Sequence, residues 1–289
     1  MRRIILALVL ALLAFMTSLV FSTASNQRID RLYVFGDSLS DVGRVFQATG
    51  GMYPPNPTYF QGRYSNGRVW VEYLASHLHL SSSHTYNFAW GGATTSGNSN
   101  SLVPGLLAQV QSFTNTHQQQ NSKALYVLWA GANDYLQGVS SASAPVENVT
   151  RAIASLAEVG AKNILVANLP DLGQLPATRK GTNSAKLSAL TSAHNQRLRQ
   201  ALKIVAQQHS DLQIVTLDAN MLYRDAITRP VKFGFTNVTD ACLSNNNQIC
   251  GNPDQFLFWD GIHPTTAAHR ILGEHAFSAL EAERLTASR

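Results

Sequence analysis

Val34-Phe35-Gly36-Asp37-Ser38-Leu39-Ser40-Asp41 closes an apolar run, turns at a glycine and presents a serine at the turn. The run itself, Leu32-Tyr33-Val34-Phe35, is short, apolar and partly β-branched, the pattern of a parallel strand buried on both faces. Such a strand delivers Ser38 to the carboxyl edge of a sheet, where open α/β folds place their sites. A serine hydroxyl attacks a carbonyl at neutral pH only when a base takes its proton and donors hold the oxyanion. Ser38 as a nucleophile therefore requires partners elsewhere in the chain.

Phe258-Trp259-Asp260-Gly261-Ile262-His263-Pro264-Thr265 sets a carboxylate and an imidazole three residues apart on a loop. Asp260 can fix the tautomer of His263, whose second ring nitrogen is then free to take the Ser38 proton. Between these ends lie Gly91-Gly92-Ala93-Thr94 and Gly131-Ala132-Asn133-Asp134, each just past a strand-like run. A glycine backbone N–H and an asparagine amide are suitable oxyanion donors. Each block alone has a bland reading, as a capped turn or a surface pair. Their combination carries the specificity.

These four blocks, in this order, resemble the GDSL or SGNH hydrolase family over residues 32 to about 276. The resemblance implies Ser38, His263 and Asp260 as a catalytic triad. It implies an oxyanion hole made of the Ser38 and Gly92 N–H groups and the Asn133 side chain. Gly92 is chosen because the family's donor glycine directly precedes an Ala-Thr or Asp-Thr pair, whereas Gly91 is read as backbone freedom for the turn. Within that family the chain most resembles bacterial secreted lipases of the lysophospholipase and acyltransferase type. The α/β-hydrolase elbow, Gly-x-Ser-x-Gly, does not fit Gly36-Asp37-Ser38-Leu39-Ser40.

A chain of 289 residues with 45% hydrophobic residues can bury a sizeable core. Charged residues make up 13%, against about 25% in ordinary domains, so the surface is expected to be neutral and polar. Met1-Arg2-Arg3, an apolar run from Ile4 to Phe21 and Ser22-Thr23-Ala24 have the three parts of a secretory signal, with cleavage after Ala24. The competing reading is a retained anchor, since the run approaches membrane-spanning length. Residues 25–289 then form a single catalytic domain, taken to be monomeric and secreted. Loss of Arg2 and Arg3 lowers the net charge from +5 to 20 basic against 17 acidic residues, +3. That charge is too mild, and too little clustered, to imply nucleic acid.

Cys242 and Cys250 stand close together in a polar stretch, which in an exported protein reads as a disulfide. A zinc site lacks companion ligands at useful spacing. His263, His269 and His275 recur at intervals of six, which on a helix advances by about 240° and does not converge on one metal. No metal and no cofactor are expected.

Further strands are read at Tyr86-Asn87-Phe88-Ala89-Trp90, Ala124 to Trp129, Asn163 to Ala167 and Leu212 to Leu217. Helices are read after the Asn66-Gly67 turn and over 102–119, opened by Pro104. Others are read over 145–159 and 184–208, after an Asp218 cap, and over 266–280. His194 and His209 read as surface or edge residues, and Asp134 as a brace for its turn. Strands alternating with helices imply a three-layer α/β/α sandwich with a mostly parallel sheet. The resemblance adds the five-strand, flavodoxin-like order 2-1-3-4-5.

The loop from Gly50 to Asn66 carries Pro54, Pro55 and Pro57 with Tyr53, Tyr59, Phe60 and Tyr64. A loop this long in a compact domain is often functional. Its aromatics can line an acyl or leaving-group pocket or pack on the body. The substrate expected from the resemblance is a lipid ester, a phospholipid or lysophospholipid, with a sterol as a further acyl acceptor and transient contact with a membrane surface. The alternatives are deacetylation of a polysaccharide on the same fold and a catalytically silent binding module.

Overall fold

The structure, a computed structural model, describes residues 28–98, 102–116, 123–244 and 246–287. The expected signal, residues 1–24, lies outside the described residues. Among the described residues no helix is long and apolar enough to cross a membrane.

In chain order the main elements are β1 (Arg31–Gly36), α1 (Arg44–Ala48), α2 (Trp70–His77), β2 (Thr85–Asn87), α3 (Leu106–Thr116) and β3 (Ala124–Trp129). After these come α4 (Ala132–Leu136), α5 (Ser143–Glu158), β4 (Asn163–Ala167), α6 (Ser184–Gln208), β5 (Gln213–Leu217) and α7 (Ala219–Thr228). The chain closes with β6 (Asn237–Ala241), β7 (Phe256–Phe258) and α8 (Thr266–Ala287). The first five strands form one sheet in the order 2-1-3-4-5, all neighbours parallel, as the resemblance implied.

The alternation of side chains along each strand sorts the core into two layers. Leu32 and Val34 of β1, Leu125, Val127 and Trp129 of β3 and Leu165 of β4 pack with Trp70 and Leu74 of α2 and Leu272 and Ala276 of α8. Tyr33 and Phe35, Tyr126 and Leu128, and Ile164 and Val166 face the other way, onto Leu106, Val110 and Phe113 of α3, Ile153 of α5 and Leu198 and Leu202 of α6. Burial on both sides is why these strands read as continuous apolar runs.

Several boundaries differ from the sequence reading. Regular pairing in β2 ends at Asn87, but the ladder continues loosely, with Phe88 N donating to Val34 O (2.7 Å) and Trp90 N to Gly36 O (3.0 Å). Helix α3 starts at Leu106 rather than at Pro104, because carbonyls of Thr94, Thr95 and Ser96 take the amides of Leu106, Leu107 and Ala108. Asp218 caps α7, accepting from Met221 N at 2.9 Å. A second, two-stranded parallel sheet, β6 with β7, was not anticipated.

The sheet order places three loops together. Ser38 follows β1, Gly92 follows β2 and Asn133 follows β3, all at carboxyl ends, and β1 lies between the other two strands. This is the reversal point of strand order, where open α/β sheets form their crevice.

Candidate active site

The turn after β1 is fixed from three sides. Gln109 of α3 spans Gly36, its Oε1 accepting from Gly36 N and its Nε2 donating to Gly36 O, both at 2.9 Å. Asp37, almost wholly buried, accepts from Leu39 N at 3.0 Å, and its carbonyl accepts from Ser40 N and Asp41 N. Asp41 accepts from Gly43 N (2.8 Å) and Arg44 N (2.6 Å), and from Gly91 N (2.9 Å). One carboxylate thus ties the Ser38 turn to the start of α1 and to the glycine pair after β2. The sequence reading missed Asp41; its signal was an acid two residues before a glycine, an Asx-turn pattern.

The second half of the site comes from the turn between β7 and α8. Asp260 Oδ1 accepts from Ile262 N (2.8 Å) and His263 N (2.7 Å), and Trp259 N donates to His263 O (2.8 Å). His263 Nδ1 lies 3.0 Å and 2.8 Å from the two Asp260 oxygens, and its Nε2 lies 2.9 Å from Ser38 Oγ. The Asp260 bond assigns the proton to Nδ1 and leaves the Nε2 lone pair to the Ser38 hydroxyl. The loop ending at Asn66 anchors this turn, with Ser65 Oγ donating to Pro264 O (2.9 Å) and Asn66 Oδ1 accepting from Thr266 N (2.8 Å).

The electrostatics agree with this geometry. Burial alone would raise the Asp260 pKa, but the His263 charge and the hydrogen bonds from His263 and Ile262 hold it well below the ordinary carboxylate range. Burial alone would lower the His263 pKa, but the Asp260 charge and hydrogen bond, with Asp37, raise it above the ordinary imidazole value. Burial pushes Asp37 up to about 7.

Among the described residues, neither the Ser38 nor the Gly92 amide has an intramolecular acceptor. Asn133 Nδ2 donates one hydrogen to Ala93 O at 2.9 Å, which orients the amide and leaves its second hydrogen free. Asp134 braces its turn as expected, accepting from Thr95 N (2.9 Å) and Thr95 Oγ1 (2.7 Å) across to the β2 loop. The glycine pair divides its roles differently from the sequence reading. Gly92, not Gly91, holds a left-handed φ of 82°. Gly91 supplies space, since a Cβ there would stand 2.1 Å from Tyr64 Oη.

His194 corrects an expectation: it is fully buried, not at the surface. Its Nδ1 bonds Tyr135 Oη at 2.8 Å, and its ring lies against Gly131, so it supports the Asn133 turn from beneath. Burial lowers its pKa to about 4. Cys242 and Cys250 are bridged, as expected. The bridge packs with Leu243, Trp259 and Tyr59, directly beside Asp260. Two aromatics of the proline-rich loop also reach the site: Tyr64, tilted on the His263 ring at 5.1 Å, and Tyr59, whose hydroxyl donates to Asp260 Oδ2 at 2.8 Å. Nothing local to either tyrosine distinguishes it from Tyr53 or Phe60.

The arrangement can pass a proton from a hydroxyl to a neutral imidazole while stabilising the imidazolium that forms, and it presents amide donors beside that hydroxyl.

Thermolabile hemolysin of Vibrio parahaemolyticus is 31% identical over 86% of this chain and 63% of its own length. Phosphatidylcholine-sterol acyltransferase of Aeromonas hydrophila is 28% identical over 94% of this chain and 96% of its own. The chain therefore spans less than two thirds of the hemolysin but nearly all of the acyltransferase. The aryl esterase of M. smegmatis shares the fold, with a TM-score of 0.51 at 17% identity over 88% of this chain and 99% of that one. Residues 32–276, from β1 into α8, match the GDSL-like Lipase/Acylhydrolase family, and the chain belongs to that family.

Proposed function

We propose that the protein is an exported ester hydrolase acting on lipid esters, of the phospholipase A or lysophospholipase kind, through an acyl-enzyme on Ser38. The observation that carries this reading is the unbroken chain from Ser38 Oγ to His263 Nε2 (2.9 Å) and from His263 Nδ1 to Asp260 (2.8 Å), beside amides with no acceptor of their own. Ser38 attacks the ester carbonyl as its proton moves to His263 Nε2. The Ser38 and Gly92 N–H groups and Asn133 Nδ2 hold the oxyanion. His263 then gives the proton to the leaving alcohol, and next takes one from the water that releases the acid.

The lipid substrate is supported by the likeness to a phosphatidylcholine-sterol acyltransferase and by the aromatic loop that meets the site through Tyr59 and Tyr64. A sterol replaces water as acyl acceptor in the fullest form of the reading, during transient contact with a membrane surface. Export rests on the signal pattern before Ser25, and the protein acts as a monomer without cofactor or metal.

The test is release of free fatty acid from lysophosphatidylcholine, beside release of acetate from acetylated xylan, by wild type and Ser38→Ala. Fatty acid from wild type alone supports the reading. Acetate alone moves the substrate to acetylated polysaccharide. If neither appears and a fluorophosphonate fails to label Ser38, the chain is a silent binding module and the reading falls.

A further inference from the structure

We propose that Tyr59 is a positioning residue that acts on His263 through Asp260. The proposal rests on the triad reading above and adds a member from the other end of the chain.

The donors to Asp260 divide between its two oxygens. Oδ1 is bound mainly within its own turn, by Ile262 N and His263 N. Oδ2 has two donors, His263 Nδ1 at 2.8 Å and Tyr59 Oη at 2.8 Å, and Tyr59 lies 201 residues away in sequence. Among the described residues Tyr59 is the one side chain from outside the 260–263 turn that reaches this carboxylate. It therefore fixes the rotation of the carboxylate about its own axis, which the turn amides alone hold at Oδ1 only.

The hydroxyl is delivered by a braced segment. Tyr59 N donates to Pro55 O and Phe60 N to Ser65 O, both at 2.9 Å. The ring meets Trp259 edge-on, 6.4 Å between centroids at 88°, and Tyr64 at 6.4 Å and 65°. Burial and the Asp260 charge hold the phenol above its ordinary pKa, so it stays a donor throughout the neutral range.

A donor on a carboxylate withdraws part of its charge. The base then feels less of Asp260, and its pKa sits lower than it would without Tyr59. His263 also faces Asp37 from the β1 turn, Tyr64 from the loop and His269 from α8, none of which changes when the Tyr59 hydroxyl is removed.

The experiment is the pH profile of kcat/KM on a soluble p-nitrophenyl butyrate ester for wild type, Tyr59→Phe, Ser38→Ala, Asp260→Asn and Asp260→Asn/Tyr59→Phe. Tyr59→Phe keeps the ring between Trp259 and Tyr64. It should lower kcat about tenfold with KM within about twofold. It should also move the acidic limb to higher pH by about half a unit. In the Asp260→Asn background the same substitution should have little further effect, whereas a loss that does not pass through Asp260 would be the same in both backgrounds. Wild-type kcat and an unmoved limb in Tyr59→Phe, with Ser38→Ala inactive, would overturn the role of Tyr59 and leave the triad standing. Full turnover in Ser38→Ala would overturn the triad reading and this proposal with it.

Discussion

The hydroxyl of Tyr64 rests on the α-carbon of Gly91, so closely that a Cβ added there would stand 2.1 Å from Tyr64 Oη and 2.3 Å from its Cζ. The Tyr64 ring in turn tilts over His263 at 5.1 Å. Three chain segments, the loop before α2, the turn after β2 and the turn before α8, therefore meet through one aromatic side chain.

Gly91→Ala should for this reason disturb His263 without touching it. No left-handed φ is required at Gly91, so the strain is one of space alone, and it should push Tyr64 off the imidazole. We expect kcat/KM to fall at least about tenfold with the fold retained. Gly91→Ala/Tyr64→Leu should recover part of the loss. Wild-type kinetics in Gly91→Ala would show that Tyr64 yields freely.

The pH dependence follows from Asp37 and His263. Catalysis through His263 needs its neutral form, and its pKa is raised, so the acidic limb of kcat/KM should have its midpoint above 6.5. Asp37→Asn removes a negative charge that raises that pKa, and should move the limb to lower pH.

The same substitution changes stability with the opposite partner in view. Asp37 titrates near 7 in the folded protein, from an ordinary 3.8, because it is buried. Its contribution is full below 3.8 and is lost as pH rises through about 7. Asn retains an acceptor for Leu39 N and has no such loss. A Tm advantage for Asp37→Asn should therefore open between pH 4 and 7 and level off above, reaching about 10 °C. A gap that does not vary with pH would mean that Asp37 does not titrate there.

The middle of the central sheet was legible because β1, β3 and β4 are buried on both faces, which leaves continuous apolar runs such as Ala124 to Trp129 in the sequence. The Ser38 and Asn133 blocks were legible because each follows such a run. What remained hidden depends on tertiary partners. His194 lies on the buried stripe of α6 with Thr191 and Asn195, polar residues whose partners are Tyr135 for the His194 Nδ1, Leu172 N and the backbone of Leu169. By side-chain type alone that stripe looks exposed. Strand β7 is three residues long and pairs with a partner interrupted by a register shift, too short for a periodic signal. Tyr59 meets Asp260 from 201 residues away, and no local pattern encodes that contact.

Asn133→Ala isolates one oxyanion donor. The side chain is oriented by Ala93 O, and the turn keeps its other supports, Asp134 to Thr95 and Tyr135 to His194. Removing such a donor typically costs roughly 2.7–4 kcal/mol of barrier. We expect kcat to fall by about two to three orders of magnitude with Tm nearly unchanged. Retained turnover in the folded variant would take Asn133 out of the oxyanion hole.

The bridge between Cys242 and Cys250 is coupled to the site through Trp259. Cys242 N donates to Phe258 O (3.0 Å) and Leu243 N to Trp259 O (2.7 Å), while Cys250 N returns to Cys242 O (2.9 Å). Residues 242 and 243 thus continue β6 beside the residues that lead into Asp260. Closing a loop with a sequence separation of 8 is worth about 2.5 kcal/mol in the chain-entropy account. Reduction or Cys242→Ser should lower Tm by about 5–10 °C. It should also change kcat, because Trp259 and Tyr59, which lead to Asp260, lose their backing. Unchanged melting and unchanged kinetics in both treatments would show that the loop stands apart from the triad.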